Sequence, residues 1–458
     1  MTLEQKLDNN ITISIVKEVC KRSFYQFFKL AWDSVESADY EDNWHIKYLC
    51  DELQKRFNIW EKNEKATPDE LYDIIINICP SASKSLIVSI MFPAWALLKN
   101  NKLKILNVTY SHAISEQLAS KRIKLLKSDF YRKISGIELE SEAVNCTKIK
   151  KGGQIIATSI AGSITGLHFD ILIGDDLNAP QSIFSKSDRE QTKRFIKEVL
   201  PSRKTNVKRS YTIYLQQRLH HEDATGVLLE QKNKNYKHIV IKAIENGKSF
   251  FEKRFPLEYF NELKETLGSL SFNAQYLQTT QEESGGIIKK NWLKYIESNE
   301  DKLIYFLDTA YGGQNADYNA IVGVIKKDNN IIIQKANINK MEFPELIKFL
   351  KTYIPPHAKV YIEGKASGKT IIQTLKKETN FNVVEIKSTV SKLQRKQSIS
   401  PYFEAGRVFI NKYIDHIETI EEQLIFDNTN NDDLLDVIMY AIEYVLVKNV
   451  GNYQFGFV

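Results

Sequence analysis

The stretch Ile78–Trp95, ICPSASKSLIVSIMFPAW, decides the fold of the first half of this chain. It follows the apolar run DIIINI and places Lys84 and Ser85 where a helix should begin. A helix N-terminus offers free N–H groups and a positive dipole end to an anion, so this order is typical of a phosphate-binding loop. The usual pattern would place glycines at 78 and 83, but Ile78 and Ser83 stand there, and a plain serine-rich turn is the alternative.

The segments around this loop alternate between short β-rich runs and helical patterns, from Asp73 to about Val240. The predicted strands are DIIINI, LKILNVTY, GQIIATSI, FDILIG and SYTIYLQ, and the predicted helices are 84–98, 112–127, 185–200 and 223–232. Such alternation predicts an α/β fold with a mostly parallel sheet covered by helices. The first 70 residues are predicted to be mainly helical, with Trp32, Trp44 and Trp60 as core anchors.

Polar residues follow two of these predicted strands, at the sheet edge where doubly wound folds bind ligands. FDILIGDDL ends in Asp175, which suits Mg²⁺ coordination, and in Asp176, which could orient and activate an attacking water. SYTIYLQQR ends in Gln217 and Arg218, which could sense a γ-phosphate. An acidic turn after the one strand and a surface loop after the other are the alternatives.

A second strand-rich block starts near residue 291, after the glycine-containing stretch QEESGGIIKK, and predicts a separate α/β domain. Carboxylates stand at its predicted strand ends and at the start of its last helix; they are Asp308, Asp317, Glu363, Asp432, Asp433 and Asp436. Clustered carboxylates repel unless divalent cations lie among them, and hard oxygen ligands suit Mg²⁺ or Mn²⁺. The pattern predicts a two-metal site for phosphodiester cleavage, with separate helix caps and turn acids as the alternative.

Charge and cysteine content narrow the class of protein. The formal net charge is only +6, but two stretches are strongly basic and are candidates for contact with a DNA backbone: Arg203, Lys204, Lys208 and Arg209 in the first, and Lys392, Arg395 and Lys396 in the second. Solvated surface faces are the alternative for both. The four cysteines are scattered without metal-ligand spacing. The first residues, MTLEQKLDNN, lack a basic segment leading into an apolar one, so we expect no secretory signal there. No apolar run approaches the ~20 residues that a membrane span needs.

In their order along the chain, these motifs resemble those of the large terminase subunit of tailed phages, the DNA-packaging motor. PSASKSLIVSIMFPAWALL resembles that family's P-loop and the helix after it, ATSIAGSITGLHFDILIGDDL its Walker B region, and IYLQQRLHHEDATG its coupling motif. SFNAQYLQ resembles its bridge to the nuclease, and LDTAYGGQNADYNA, IEGKASGKTIIQTL, RKQSISPYFEAGRVFI and DDLLD resemble its RNase H-like nuclease.

The resemblance implies an ASCE-type P-loop NTPase domain followed by an RNase H-like nuclease domain. Ser83, Lys84, Ser85, Asp175, Gln217 and Arg218 would bind ATP and Mg²⁺, and Asp176 would replace the family's catalytic glutamate. Asp308, Glu363 and Asp433 would hold the nuclease metals, supported by Asp317, Asp432 and Asp436.

We therefore expect an enzyme that drives double-stranded DNA into an empty capsid with ATP and cuts concatemeric DNA with two metal ions. The predicted boundaries are a helical segment 1–70, an ATPase domain 71–250, a linker 251–290 and a nuclease domain 291–458. Expected partners are a portal ring, a small terminase subunit and further copies of the chain in a ring, in the host cytoplasm and transiently at the portal. A DNA-stimulated helicase-nuclease of repair or defence, or a DNA-binding scaffold without ATP turnover, are the alternatives.

Overall fold

The computed structural model describes residues 10–62, 67, 70–280, 286–309, 318–364, 366–387, 391–426 and 432–447. The chain divides into two compact units. The N-terminal unit contains residues 1–261 and 271–281, and the C-terminal unit contains residues 262–270 and 282–458. No helix in the described part is long and apolar enough to cross a membrane.

The N-terminal unit begins with three helices and then alternates strands with helices. Its helices are α1 (Asn10–Arg22), α2 (Phe24–Ala31), α3 (Trp44–Glu61), α4 (Phe92–Lys99), α5 (His112–Lys127), α6 (Asp129–Ser135), α7 (Lys186–Arg194), α8 (Ala224–Leu229) and α9 (Leu257–Gln275), with π-helical segments Leu86–Met91 and Phe195–Val199 and 3-10 turns Trp32–Ser34 and Leu200–Arg203. Helix α9 bends at Gly268, and its residues 262–270 belong to the C-terminal unit. Trp32 and Trp60 are buried as predicted, whereas Trp44 is 55% exposed. Trp44 is the first residue of α3, and its indole N–H donates to the carbonyl of Phe250 at 3.0 Å, so its polar edge is bound while much of the ring stays at the surface.

An eight-stranded sheet forms the centre of the N-terminal unit. Its strands are β1 (Asp73–Ile78), β2 (Lys104–Thr109), β3 (Leu139–Ala143), β4 (Cys146–Ile149), β5 (Gln154–Ser159), β6 (Ile171–Asp175), β7 (Tyr211–Gln216) and β8 (Tyr236–Ile241), in the order β3-β4-β5-β2-β6-β7-β1-β8; a small hairpin pairs β9 (Ile244–Glu245) with β10 (Lys248–Ser249). Six neighbouring strands of this sheet are parallel; in sheet order they are β5, β2, β6, β7, β1 and β8. Strands β3 and β4 add an antiparallel edge that the sequence did not predict. Strands β6 and β7 are buried along their whole length, as expected where helices cover both faces. Because β7 lies between β1 and β6, the fold is that of an ASCE-type P-loop NTPase.

A seven-stranded mixed sheet forms the centre of the C-terminal unit. Its strands are β11 (Lys294–Ile296), β12 (Ile304–Asp308), β13 (Asn319–Lys327), β14 (Asn330–Asn339), β15 (Lys359–Glu363), β16 (Asn382–Ile386) and β17 (Val408–Asn411), in the order β11-β17-β14-β13-β12-β15-β16. Strands β12, β13 and β14 form an antiparallel meander, and β15 and β16 continue the sheet parallel to β12. This arrangement is RNase H-like and confirms the predicted fold class.

Helices cover both faces of the second sheet. They are α10 (Phe343–Tyr353), α11 (Ala366–Glu378), α12 (Lys392–Glu404), α13 (Ile417–Ile425) and α14 (Asp433–Ile442), with the π-helical segment Glu443–Val447 and the 3-10 turn Lys290–Trp292. Successive residues of a strand point to opposite faces. Phe306 therefore packs with α14, while Tyr305 and Leu307 pack with α10 and α11 on the other face.

Candidate functional site

The loop after β1 forms a phosphate-loop shape without glycine. Ser81 and Ser83 both have left-handed backbones, with φ of 61° and 57°, a region that glycine enters at little cost. The amide of Ile87 donates to the carbonyl of Ser83 at 3.0 Å, so the helix starts directly after the loop. The glycine expected at position 78 has no role here, because Ile78 is a buried residue of β1.

Lys84 and Asp176, predicted from motifs far apart in sequence, meet at the carboxyl edge of the sheet. The Lys84 ammonium group, which is almost fully buried, forms an ion pair with Asp176. The other oxygen of Asp176, Oδ1, accepts from the backbone amide of Gln217 at 3.2 Å. The lysine, the acid and the tip of β7 therefore form one polar cluster.

Asp175 lies beneath this cluster and is held by two hydroxyl groups. Ser85 donates to its Oδ1 at 3.1 Å, and Ser89 donates to its Oδ2 at 2.6 Å. Burial, together with the nearby charge of Asp176, raises the pKa of Asp175 to about 6. A divalent cation would favour the charged carboxylate, so this Ser–Asp pair fits Mg²⁺, a hard cation with oxygen ligands.

Gln217 and Arg218 follow β7, as predicted, but their side chains differ in setting. Gln217 is buried next to Asp176. The Arg218 guanidinium group donates to Asp223 at 2.9 Å and to Thr280 at 3.1 Å. In this arrangement Arg218 is engaged by an acid and is not presented to a phosphate.

His45 contacts the phosphate loop, although nothing in its sequence context predicted this. Its Nε2 atom lies 3.2 Å from the carbonyl of Ala82, and the side-chain amide of Asn43 lies 2.7 Å from its Nδ1 atom. Because the amide nitrogen donates, Nδ1 accepts and Nε2–H donates to the loop carbonyl, which is the pattern of a neutral imidazole. Burial lowers the pKa of His45 to about 4, in agreement with that state.

In the C-terminal unit, Asp308 and Glu363 end neighbouring parallel strands. Leu307 pairs with Ile362, so the two acids follow side by side at the same sheet edge. Strand alternation directs both toward the face covered by α14, where Phe306 and Tyr361 also pack. Glu363 is 3% exposed, which makes its carboxylate costly to keep charged without cations or donors nearby.

Helix α14 crosses this edge with its acidic start. Asp433 is its first residue, and the hydroxyl of Tyr440, two turns further along, donates to Glu363. Residues seven apart lie on one helix face, so Asp433 is on the side of α14 that reaches Glu363. Among the described residues, however, His220, His221 and Glu222 have possible metal-ligand atoms within 4.8 Å of one another. The carboxylate oxygens of Asp308, Glu363 and Asp433 are not that close together. They would have to move closer to share an ion.

The remaining predicted metal ligands differ in their surroundings. Lys392 forms ion pairs with Asp432 and with Asp436, the latter at 3.0 Å, and Arg395 binds Asp436 at 3.2 Å. These two acids are therefore neutralised by basic side chains of α12. Asp317 lies outside the described residues.

Two of the three basic residues of α12 that the sequence assigned to DNA contact are buried. Arg395 is 5% exposed and stacks on the ring of Tyr440 at 4.0 Å. Lys396 is 2% exposed and donates to the carbonyl of Phe426 at 3.1 Å. The prediction of DNA contact is therefore corrected for both, because buried groups bound to internal acids, rings and carbonyls cannot reach a DNA backbone.

The first basic stretch remains largely at the surface of the N-terminal unit. Lys208 is exposed, and Arg203 donates to Ser202 and to the carbonyl of Ile164. Lys204 pairs with Asp73 at 3.3 Å, and Arg209 stacks on Trp60 at 3.9 Å. Lys208 is thus the member of this stretch best exposed for a phosphate contact.

Asp308, Glu363 and Asp433 lie within a region that is similar to a known family. Residues 306–444 match the family model described as terminase RNaseH-like domain. This segment is therefore similar to the terminase RNase H-like domain, which confirms the predicted resemblance to large terminase subunits. No curated protein matches the chain.

Solved structures give a looser likeness. The large terminase of a thermophilic bacteriophage, in complex with ADP, is 13% identical, with a TM-score of 0.46, over 87% of this chain and all of that one. The HK97 bacteriophage large terminase is 10% identical, with a TM-score of 0.38, over 93% of this chain and 99% of that one. The P22 large terminase nuclease domain is 14% identical, with a TM-score of 0.29, over 36% of this chain and 92% of that one. At these values the likeness carries no functional argument.

Proposed function

We propose that this chain is a large terminase subunit that hydrolyses ATP to move double-stranded DNA into a procapsid and cuts concatemeric DNA with two metal ions. The observation that carries the proposal is the coexistence of two sites in one chain. One is the Lys84–Asp176 and Ser85–Asp175 arrangement at a phosphate-loop helix. The other is the position of Asp308 and Glu363 at the ends of neighbouring parallel strands, within a segment similar to the terminase RNase H-like domain.

In the ATPase domain, which we assign to 71–250, Lys84 would leave Asp176 for the β- and γ-phosphates of ATP. Asp176 would then be free to orient the attacking water, and its link to the amide of Gln217 would carry the change to β7. Ser85 and Asp175 would hold Mg²⁺, which neutralises charge on the phosphates. The arginine that contacts the γ-phosphate would be either Arg218, after its release from Asp223, or an arginine of a neighbouring copy of the chain.

In the nuclease domain, which we assign to 291–458 after a linker at 251–290, Asp308, Glu363 and Asp433 would hold Mg²⁺ or Mn²⁺. Such ions activate a water and stabilise the leaving 3′ oxygen. Asp432 and Asp436 would act through Lys392 rather than by direct ligation. Exposed Lys208 would contribute to a sequence-independent grip on DNA that weakens as salt rises.

The ATPase test compares the wild type with Lys84→Ala, which should lose roughly 100-fold in kcat because a positive group at the phosphates is removed. Equal ATPase activity in the wild type and in Lys84→Ala would refute the proposed motor function. Strand displacement by the wild type without capsids would favour a helicase-nuclease instead, and no ATP turnover at all would favour a scaffold.

The nuclease test measures plasmid cleavage in Mg²⁺ or Mn²⁺ with Asp308→Ala, which should abolish cutting. Glu345→Ala, which removes an exposed acid near the start of α10, is the matched control and should cut like the wild type. Cutting by Asp308→Ala at the wild-type rate would rule out the site.

Expected partners are a portal ring, a small terminase subunit and further copies of the chain in a ring, in the host cytoplasm. A packaging reaction with procapsids, portal and DNA tests them together.

A further inference from the structure

Ser89 has a special place beneath the phosphate loop. Its hydroxyl donates to Oδ2 of Asp175 at 2.6 Å, while Ser85 donates to Oδ1. In the proposed function Ser85 turns its hydroxyl toward Mg²⁺ when a nucleotide binds. Ser89 then remains as the hydroxyl that fixes the direction of the Asp175 carboxylate.

Ser89 lies in the π-helical segment Leu86–Met91 and is fully buried. A π turn is wider than an α turn and frequently occurs at functional sites. Its backbone carbonyl accepts from Nη1 of Arg122 at 2.9 Å, and the side-chain amide of Asn107 on β2 lies 3.5 Å from the same oxygen. Ser89, which binds Asp175, is therefore itself bound by a side chain of α5.

Arg122 is an unusual side chain for this position. It is completely buried, and among the described residues its Nε and Nη2 atoms have no hydrogen-bond partner. Burial lowers its pKa to about 10. A buried cation is costly unless it is well paired, and a methionine would fill a similar volume without that cost. Its hydrogen bond to Ser89 offers a reason for a guanidinium group here.

We propose that Arg122 is a positioning residue for the Mg²⁺–nucleotide site, acting through the Ser89 carbonyl on Asp175. By fixing the π turn, Arg122 keeps the Ser89 hydroxyl directed at Asp175, and the carboxylate then faces the cation. This inference rests on the proposed ATPase function. It adds a residue that lies on α5, outside all the nucleotide motifs.

The test measures binding of a fluorescent ADP to the full chain, with and without Mg²⁺. Arg122→Met should reduce the gain in affinity that Mg²⁺ gives by about tenfold, the lower end of the effects seen for residues that orient metal ligands. Arg122→Lys keeps a donor for the same carbonyl and should restore most of that gain. If Arg122→Met does not fold, Arg122→Gln, which is too short to reach in the same way, takes its place.

Two further variants separate positioning from packing. Arg56→Met is the matched control, because Arg56 is also buried and donates to a backbone carbonyl, that of Tyr72, without contact to Asp175. It should lower stability but leave the Mg²⁺ gain unchanged. In Ser89→Ala the Mg²⁺ gain should already be reduced, and adding Arg122→Met should reduce it little further, because both changes act through one residue.

The inference is overturned if Arg122→Met lowers stability but keeps the full Mg²⁺ gain, or if its effect and that of Ser89→Ala simply add. If the wild type binds ADP with no response to Mg²⁺, the proposed ATPase function itself fails. The two failures are therefore distinguishable.

Discussion

Removal of one hydroxyl group, in Tyr440→Phe, tests whether Glu363 is held in readiness for metal. Tyr440 is buried, and its hydroxyl donates to the buried carboxylate of Glu363. Phenylalanine keeps the ring on which Arg395 stacks at 4.0 Å, so packing and the cation–π contact are retained. The substitution therefore removes the hydrogen bond from the Tyr440 hydroxyl to the Glu363 carboxyl group and keeps the ring.

The magnitude follows from that bond. A hydrogen bond to a charged group contributes about 1.5–3 kcal/mol, and a buried carboxylate that loses its donor bears that cost. We expect the metal-free unfolding free energy to fall by this amount in urea denaturation. Residues that orient metal ligands change metal affinity by about 10–100-fold, so Mn²⁺ binding measured by calorimetry should weaken within that range, together with plasmid cleavage.

A matched control exists in the same unit. The hydroxyl of Tyr295 donates to Glu421 at 2.6 Å, but this pair lies at the surface. Tyr295→Phe should change the unfolding free energy by about 0.5 kcal/mol or less and leave Mn²⁺ binding unchanged. If folded Tyr440→Phe binds Mn²⁺ and cuts DNA like the wild type, Glu363 is not positioned for metal by α14 and the reasoning is refuted.

Three further outcomes are expected. Burial lowers the pKa of His45 to about 4, so below pH 6.5 the unfolded chain gains a proton there that the folded chain does not. The wild type should then lose roughly 3 kcal/mol of unfolding free energy by pH 4; His45→Gln should lose less in urea denaturation, and the exposed control His168→Gln should match the wild type. A Cβ at Gly368 would lie 1.9 Å from the carbonyl oxygen of Glu363, so Gly368→Ala should destabilise by about 1–3 kcal/mol and reduce cleavage; wild-type values would contradict this geometry. Ser83→Gly should raise the unfolding free energy by up to about 1 kcal/mol, because it relieves a left-handed serine; an unchanged or lower value would argue against that conformation.

The sequence predicted the elements of both sheets where hydrophobic periodicity was strong. Helix α5 has the predicted bounds, His112–Lys127, and the predicted strands before and after the phosphate loop are present. The antiparallel β3 and β4 were missed, since their mixed, partly exposed residues give no clear alternation. The prediction that Trp44 is a core anchor was wrong, because this indole at the start of a helix lies largely at the surface.

The sequence by itself determined the order of the helices and strands and the positions of the acids at their ends. The reason is that the periodicity of apolar residues within a short segment indicates whether that segment is a helix or a strand. That is sufficient to predict two α/β folds and to assign Lys84 and Asp176 to one candidate nucleotide site, whereas their ion pair was seen only in the structure. Only the tertiary structure decided which charged side chains face solvent and which are buried. Arg395, Lys396 and Arg122 look like surface cations in sequence, yet packing between segments distant in the chain buries them, and burial determines what each can bind.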